Sequence, residues 1–178
     1  MPTGSASGSD SGSEVTMPLS IYFAAALFNA RETVFNYELV ERLERRRFFV
    51  RLPQRDGFEF GALRKMLSEE VSSRELAAAV EVIIYTLDMG VFLTRSDTVV
   101  AVLDEPPDEG VLIEIAFARQ LGIPVVGVRT DVRAPFGKVE DPLGGIHFFA
   151  AFQCTDFIMA SPILTSKQFD DLAAAIAK

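Results

Sequence analysis

The sequence predicts an α/β fold built on a parallel β-sheet. Short runs rich in Val and Ile alternate with longer segments whose apolar residues repeat at helical spacing. This alternation is typical of parallel strands that are covered by helices on both faces. The chain has 178 residues, about one domain's worth, and 49% of them are hydrophobic, which is enough for a full core.

The first half of the chain supplies two strands and three helices. LSIYFAAALF is a buried strand that passes into a loop, and ETVFNYELVERLERR has the apolar period of a helix with a solvated basic face. FFVRL returns to strand, and PQRDGFEF is a loop because Asp56-Gly57 is a turn dipeptide. The stretch from Phe60 to Ser96 predicts two helices, with Ser72 or Ser73 capping the second.

The second half supplies three more strands and two more helices. DTVVAVLD is a strand, EGVLIEIAFARQLG is a helix that Gly122 closes, and IPVVGV is a strand again. A loop follows, and then a strand, TDFIMA, and a last helix, TSKQFDDLAAAIAK, capped by Thr165 or Ser166. About five strands interleaved with helices predict a flavodoxin-like three-layer sandwich.

Composition excludes several function classes. The net charge of −8 argues against a nucleic-acid-binding protein, which usually carries a basic stripe. A single cysteine, Cys154, excludes an internal disulfide and suits a reducing compartment, so we expect a cytoplasmic protein. The only histidine, His147, excludes a multi-histidine metal site, and no Gly-rich phosphate-binding motif is present. We therefore expect neither a metal nor a cofactor.

The chain divides into a tail and one domain. Residues 1–17 are rich in Gly and Ser and lack the apolar core of a signal peptide, which predicts a flexible tail. Residues 18–178 carry all of the predicted elements and are expected to form a single domain. No unbroken apolar run reaches the length of about 18 residues that a membrane span needs, so we expect no membrane contact.

One edge of the predicted sheet should carry the functional site. Parallel strands end together, and ligands bind outside their carboxyl ends. A helix that begins near Gly110 turns its partly positive N-terminus toward this edge. Glu114 lies one turn into that helix among apolar neighbours, where an unpaired carboxylate is costly to bury. The loops expected at this edge follow Phe23, Leu52, Leu103 and Val128.

Acidic residues converge on the same edge. They are Asp88, Asp104, Asp108 and Glu114. No Gly-x-Ser-x-Gly motif for a serine nucleophile is present. Paired carboxylates in a pocket are typical of glycosyl transfer, in which one attacks an anomeric carbon while another group handles the proton of the leaving group. The alternative is that these acids are simply solvated at loop ends.

Four segments resemble the nucleoside 2-deoxyribosyltransferases over residues 20 to about 131. In that family a strand is followed by a pattern close to Asp-x-Gly-Thr-x-x-Glu-x-Gly-Tyr-Ala. This chain keeps the spacing of the two acids at Asp108 and Glu114, but it has Val111, Ala116 and Phe117 in place of Thr, Gly and Tyr. The segments are SIYFAAALF, LPQRDG, DMGVFLTRSDTVVAVLD and DEGVLIEIAFARQLGIPVVGV.

The resemblance implies transfer of 2-deoxyribose between purine and/or pyrimidine bases by double displacement, as in nucleoside salvage. Deoxynucleosides and free nucleobases would be the partners, and residues 18–178 the catalytic domain. Glu114 would be the nucleophile; the alternative is a protonated core glutamate. Asp88 would give a proton to the departing base and later remove one, or else it faces water at a helix end. Asp108 would bind the sugar hydroxyls, or else it only caps its helix.

Four further residues match family positions around the substrate. Tyr22 matches a tyrosine that orients the nucleophile; the alternative is a core tyrosine bonded elsewhere. Phe28 matches an aromatic that walls the base, although ordinary packing is an equal alternative. Gln54 and Asp56 fall where the family contacts the base edge, and an amide both donates and accepts there. Turn formation explains Asp56 equally well.

His147 marks a departure from the family. Family members take an Asn from a neighbouring subunit to bind the sugar 5′-hydroxyl, and the nearest match in this chain is GIHFFAAF, with His147 at the Asn position. A histidine can donate the same hydrogen bond, and a packed histidine is the alternative. If the match holds, the protein is a homo-oligomer whose sites are completed across subunits.

Two other functions stay open. One is a hydrolase of the same fold, an N-glycosidase acting on a (deoxy)nucleoside or a deoxynucleoside monophosphate, in which water takes the sugar. The acids of EPPDEG would repel a phosphate, which favours a free 5′-hydroxyl. The other is a non-catalytic nucleoside-binding module, against which the retained acids argue.

Overall fold

The computed structural model describes residues 17–57, 60–160, 162 and 165–178. The predicted tail therefore lies outside the described residues, apart from Met17. One parallel sheet of five strands runs through the described chain in the order β2-β1-β3-β4-β5. The strands are β1 (Ser20–Ala24), β2 (Phe49–Arg51), β3 (Thr98–Val102), β4 (Val125–Arg129) and β5 (Asp156–Met159).

Helices cover both faces of this sheet, which confirms the α/β three-layer prediction. On one face α1 and α7 pack against alternate strand residues such as Ile21, Phe23 and Val100. On the other face α4, α5 and α6 pack against the intervening residues, Tyr22 and Val99 among them. The helices are α1 (Ala30–Arg45), α2 (Pro53–Asp56), α3 (Phe60–Leu67), α4 (Leu76–Leu87), α5 (Glu109–Gln120), α6 (Phe148–Ala151) and α7 (Ser166–Ile176).

Several helix ends lie where the sequence predicts them. The Thr165 side chain accepts from the Gln168 backbone N–H and caps α7. Gly122 follows α5 with φ +74°, the left-handed conformation that glycine adopts most readily. The predicted serine cap of α4 is wrong, because Glu75 precedes this helix and the Ser72 hydroxyl bonds the Glu75 carboxylate instead.

Two short helices, α2 and α6, lie in stretches expected to be irregular. Each has only four residues, so neither shows a helical period in the sequence. Pro53 occupies the first position of α2, where a missing N–H does no harm. These two helices bring Gln54 and His147 to their places.

The helix α4 continues without a break through a π-helical segment, Asp88–Phe92, and a short 3₁₀ turn. The whole run, Leu76–Arg95, is long and apolar enough to cross a membrane by length and composition. The expectation that no such run exists is therefore corrected. It considered only unbroken apolar stretches, and Glu81 and Asp88 interrupt this one. One such helix is weak evidence for a membrane span, and Leu93 packs in the core of the fold.

Candidate active site

The side chain of Tyr22, the middle residue of β1, meets Glu114 of α5. Tyr22 is fully buried on the face that α5 covers. Its hydroxyl donates a hydrogen bond of 2.7 Å to Oε1 of Glu114, which lies in the second turn of α5. The polar end of a buried tyrosine needs a partner, and here that partner is the one carboxylate among the apolar residues of the helix.

The surroundings of Glu114 hold its carboxyl close to half ionisation at neutral pH. Burial is the largest effect and, with the negative charges of Asp88 and Asp108, raises the pKa of Glu114 to about 7, while the Tyr22 hydrogen bond works in the opposite direction. Burial and the nearby Glu114 carboxylate also raise the pKa of the Tyr22 hydroxyl, so this hydroxyl stays protonated as a donor.

Asp88 begins the π-helical segment, and its Oδ1 is buried. Within the described part of the chain this oxygen has no hydrogen-bond partner. Burial raises the pKa of Asp88 to about 6. Gly57 lies beside this oxygen: a Cβ added to Gly57 would be 3.8 Å from Asp88 Oδ1. A buried, unpartnered carboxyl oxygen with a pKa close to neutrality is suited to exchange a proton with a ligand.

The other two acids are held by the backbone. Oδ1 of Asp108 accepts from the Val111 N–H at 3.0 Å and caps α5. The capping alternative therefore accounts for one oxygen of Asp108 and not for the other. Asp104 accepts from both the N–H and the hydroxyl of Thr130, each at 2.6 Å. Asp104 thus ties the end of β3 to the end of β4 and is not available to a substrate.

Gln54 is bound on both sides of its amide. Its Oε1 accepts from Asn36 Nδ2 at 2.8 Å, and its Nε2 donates to the Thr33 carbonyl at 3.2 Å. The same Asn36 amide donates to the Ala26 carbonyl in the loop after β1. One N–H and one lone pair of Gln54 remain for a ligand.

Asp56 serves its own helix. It accepts from the Leu52 N–H at 2.9 Å and from the Arg55 guanidinium. Burial opposes ionisation, but these hydrogen bonds prevail and lower the pKa of Asp56. The turn-forming interpretation of Asp56 therefore describes its contacts, and none of them points to a base.

Phe28 projects from the loop after β1. Its side chain is 78% exposed, so the structure does not place it in the core. The loop itself is fixed, because the Phe28 and Asn29 N–H groups both donate to the Glu32 carboxylate at the start of α1. An exposed ring on a fixed loop is a surface against which a flat ligand can stack.

His147 does not come near Glu114 within one chain. It caps α6 through Nδ1, its ring stacks on Phe148, and it lines a cavity of about 310 Å³ with Leu112 and Ala116. At about 100° per residue, Leu112 and Ala116 lie on the side of α5 opposite Glu114. The helix therefore separates His147 from the Tyr22–Glu114 pair.

The described residues show two contributors that the sequence analysis missed. Asn36 sits on the buried face of α1 between apolar positions, a pattern that is a signal for a buried amide with a partner. Gly57 is required by the end of α2 itself, because an added Cβ would lie 2.5 Å from the Pro53 carbonyl oxygen, and this tight end lies next to Asp88. Over the part of the chain that the structure describes, no three His, Cys, Asp or Glu side chains come together as metal ligands.

Comparison with solved structures finds three similar chains, and the two with TM-scores above 0.5 show the same fold. A conserved protein from Enterococcus faecalis V583 has a TM-score of 0.58 and 24% identity, over 90% of this chain and 98% of that one. A 2-deoxyribosyltransferase from Bacillus psychrosaccharolyticus has a TM-score of 0.55 and 15% identity, over 85% and 90%. A CMP N-glycosidase from Clostridium botulinum has a TM-score of 0.48 and 11% identity, over 88% and 98%.

Comparison with protein families is more specific. No protein with a curated description matches the chain. The profile of the nucleoside 2-deoxyribosyltransferases, however, matches residues 21–147, a span that runs from the residue before Tyr22 to His147 and includes Asp88 and Glu114. The chain therefore belongs to the nucleoside 2-deoxyribosyltransferase family.

Proposed function

We propose that this protein transfers 2-deoxyribose from one nucleobase to another through a covalent intermediate on Glu114, in nucleoside salvage. The observation that carries the proposal is the 2.7 Å hydrogen bond from the buried Tyr22 hydroxyl to Glu114 Oε1. This bond fixes the carboxylate at the edge of the sheet where an α/β fold binds its ligands. It also leaves the second oxygen, Oε2, to face a sugar.

In the first half of the proposed reaction, Glu114 Oε2 attacks C1′ of the deoxynucleoside. A C1′–O bond forms as the C1′–N bond breaks, and the departing base nitrogen takes a proton from Asp88. In the second half a different base attacks C1′, returns its proton to Asp88 and releases Glu114. Asp88 is suited to this exchange because burial raises its pKa to about 6, and Glu114 needs no metal to act as a nucleophile.

Around these two acids we assign the substrate contacts. The free oxygen of Asp108 binds a sugar hydroxyl, Phe28 stacks on the base, and Gln54 offers its remaining N–H to an acceptor on the base edge. Asp56 supports Gln54 through the fold of α2 rather than by touching the base, since its oxygens are occupied by Leu52 and Arg55.

We further propose that His147 serves the site of a neighbouring copy in a homo-oligomer. Two observations support this. His147 lies across α5 from Glu114 of its own chain. The short helix beside it also exposes three large aromatic side chains, a patch typical of protein interfaces. They are Phe148, Phe149 and Phe152.

One incubation separates the candidate functions. The protein is mixed with deoxyadenosine and free cytosine, and the products are resolved by chromatography. New deoxycytidine is expected and identifies a transferase. Adenine and deoxyribose alone would identify the hydrolase, and unchanged substrates would identify a binding module. Denaturation during turnover and peptide mapping should then locate the sugar on Glu114, and a sugar on another residue would overturn that assignment.

A further inference from the structure

A second groove lies at the opposite edge of the sheet from Glu114. It has a volume of about 350 Å³, and its lining includes Ser20 and Phe49, the first residues of β1 and β2. Tyr22 is the middle residue of β1 and pairs in register with Arg51, the last residue of β2, but neither Tyr22 nor Glu114 lines this groove. We call this cavity the basal groove.

The basal groove contains an arginine without an oxygen partner. The Arg51 guanidinium lies 4.3 Å from the centre of the Phe49 ring and 5.2 Å from that of Phe92. Within the described residues it is the only arginine that is at least partly buried and donates no hydrogen bond. The other three all donate to oxygen: Arg42 to Glu38, Arg129 to Asp131, and Arg46 to backbone carbonyls.

A second guanidinium lines the same groove. Arg95 is exposed, and no acceptor holds its side chain in the described structure. Oδ2 of the neighbouring Asp97 accepts from the backbone N–H and the hydroxyl of Ser20, each at 2.7 Å, and neither guanidinium donates to this carboxylate in the described structure. In a chain of net charge −8, the groove therefore gathers two guanidinium groups that donate no hydrogen bond within the described residues.

We propose that the basal groove binds a nucleoside monophosphate at a site distinct from the Glu114 site. Two guanidinium forks are the preferred protein donors for a phosphate, and a charge-assisted pair would offset the partial burial of Arg51. Phe49 is 44% exposed and offers an apolar edge to the base. The volume of the groove falls in the range of pockets that hold molecules of this size.

The groove also touches the segment that carries Asp88. Val91 and Phe92 line it, and both belong to the π-helical segment that Asp88 begins. Such segments are frequent at functional sites, and this one runs from Asp88 to two residues that line the groove. A bound nucleotide would therefore bear on the position of Asp88. This consequence, unlike the binding itself, rests on the proposed function.

Binding is tested with Glu114→Gln, which removes the nucleophile, in the presence of saturating deoxyadenosine to fill the nucleoside site. Titration calorimetry with deoxyadenosine 5′-monophosphate should then detect one further site per chain. Adding Arg51→Gln should weaken this binding at least tenfold and adding Arg95→Gln several-fold. Arg119→Gln, which removes an exposed arginine outside the groove, should leave it unchanged.

Three results would overturn the proposal. One is no nucleotide binding once deoxyadenosine fills the nucleoside site. Another is nucleotide binding that neither arginine substitution weakens. If Arg51→Gln does not fold, Arg95→Gln still provides this test, because Arg95 is exposed. The third is inorganic phosphate binding as tightly as the nucleotide, which would show a bare anion site. If the protein proves not to exchange bases, the binding measurements still test whether the groove holds a nucleotide.

With active enzyme, the nucleotide should change the exchange rate, and Arg95→Gln should raise the nucleotide concentration needed for half of this change several-fold. A rate change with the same concentration dependence in Arg95→Gln and in the wild-type protein would place the effect at the nucleoside site instead. If the nucleotide binds but does not change the rate of base exchange, only the proposed effect on Asp88 is refuted, and the binding site stands.

Discussion

Charged side chains are buried in two parts of the carboxyl edge of the sheet, and the two parts differ in whether these charges have partners of opposite charge. At the end of β4, Arg129 is fully buried and donates to Asp131 Oδ1 at 2.7 Å and to the Gly144 carbonyl at 2.6 Å. At the end of β1, Glu114 and Asp88 are buried with no cation among the causes of their pKa shifts. The first arrangement neutralises its charges, whereas the second keeps two acids poised to change protonation.

This contrast separates a structural role from a chemical one. Burial raises the pKa of Glu105 as well, but the positive charges of Arg129 and Arg133 oppose that shift. A protein that needed only stability would treat Glu114 in the same way, since an unpaired buried carboxylate is unfavourable. Within the described residues no cation contributes to the pKa shift of Glu114, which agrees with the proposal that this carboxylate attacks carbon.

The largest effect should come from removing the nucleophile. Glu114→Gln should lower base exchange by roughly 10³-fold or more while the fold survives, because an amide cannot form the glycosyl bond. Chromatographic assay of deoxycytidine formed from deoxyadenosine measures the loss. Glu109→Gln, an exposed acid in the same helix, is the matched control and should keep full activity. Near-normal exchange by Glu114→Gln would end the proposed mechanism.

Removing the structural cation should instead affect stability. Arg129→Met removes the buried partner of Asp131 Oδ1 and the donor to the Gly144 carbonyl, and it leaves Asp131 only the exposed Arg133 and the Glu105 N–H. The free energy of unfolding should therefore fall by about 3 kcal/mol. Urea titration followed by circular dichroism measures it. Arg45→Met, which breaks an exposed pair with Glu41, should cost less than about 1 kcal/mol. Equal losses in the two variants would contradict the division of roles.

Asp88→Asn tests the proton exchange. Activity requires Glu114 ionised and Asp88 protonated, and with pKa values of about 7 and about 6 this is the minority pairing of the two protonation states. Its population is largest between the two values, so the profile of kcat/KM should be bell-shaped with its maximum there. The variant should lose the alkaline limb and fall by roughly 10²-fold with bases that leave poorly. A deoxyriboside whose leaving group needs no proton is the control substrate. A uniform loss over all leaving groups would argue against proton transfer by Asp88.

The same shifts make stability depend on pH. Because the folded-state pKa of Glu114, about 7, lies above its ordinary value of 4.5, the folded state holds the proton more tightly than the unfolded state does. Its stabilising contribution is complete below pH 4.5 and is lost as pH rises through 7. Relative to Glu114→Gln, the wild-type unfolding free energy should decline by roughly 1–3 kcal/mol over this interval. Parallel urea titrations that show no divergence would refute the raised pKa.

The smallest change concerns the hydroxyl that orients the nucleophile. Tyr22→Phe removes the hydrogen bond that opposes the upward shift in the pKa of Glu114. The acid limb of the pH profile should move to higher pH, and exchange at neutral pH should fall by roughly tenfold. The ring stays in place, so thermal unfolding should change little. An unmoved acid limb would mean that Tyr22 only packs.

The sheet and its functional edge were predictable because their signals are local. Val- and Ile-rich runs define the strands, and parallel strands bring Tyr22 and Glu114 to one edge although 92 positions separate them. Glu114 itself was conspicuous because all of its neighbours in sequence are apolar.

What the sequence did not reveal depends on pairs of distant side chains. Nothing in the sequence around Gln54 indicates that Asn36 will donate a hydrogen bond to its side-chain carbonyl. Nothing around Asp104 indicates that the Thr130 hydroxyl will donate to its carboxylate. Arg129 ends a strand that is otherwise apolar, and nothing nearby in sequence shows that its buried charge pairs with Asp131 and Gly144. Hydrogen bonds of this kind exist only once the backbone has brought the partners together.

The wide turn at Asp88–Phe92 has one more consequence, for how this chain tolerates deletion. A π-helical turn holds one residue more than an α-helical turn, so removing any single residue from Met89–Val91 would restore ordinary winding. The two flanks would then keep roughly their present angular relation, so the carboxyl at the front would still face the site while Phe92 and Leu93 stay in the interior. Removing one residue from α4 itself, which has ordinary winding, would instead turn the two flanks by about 100° relative to each other.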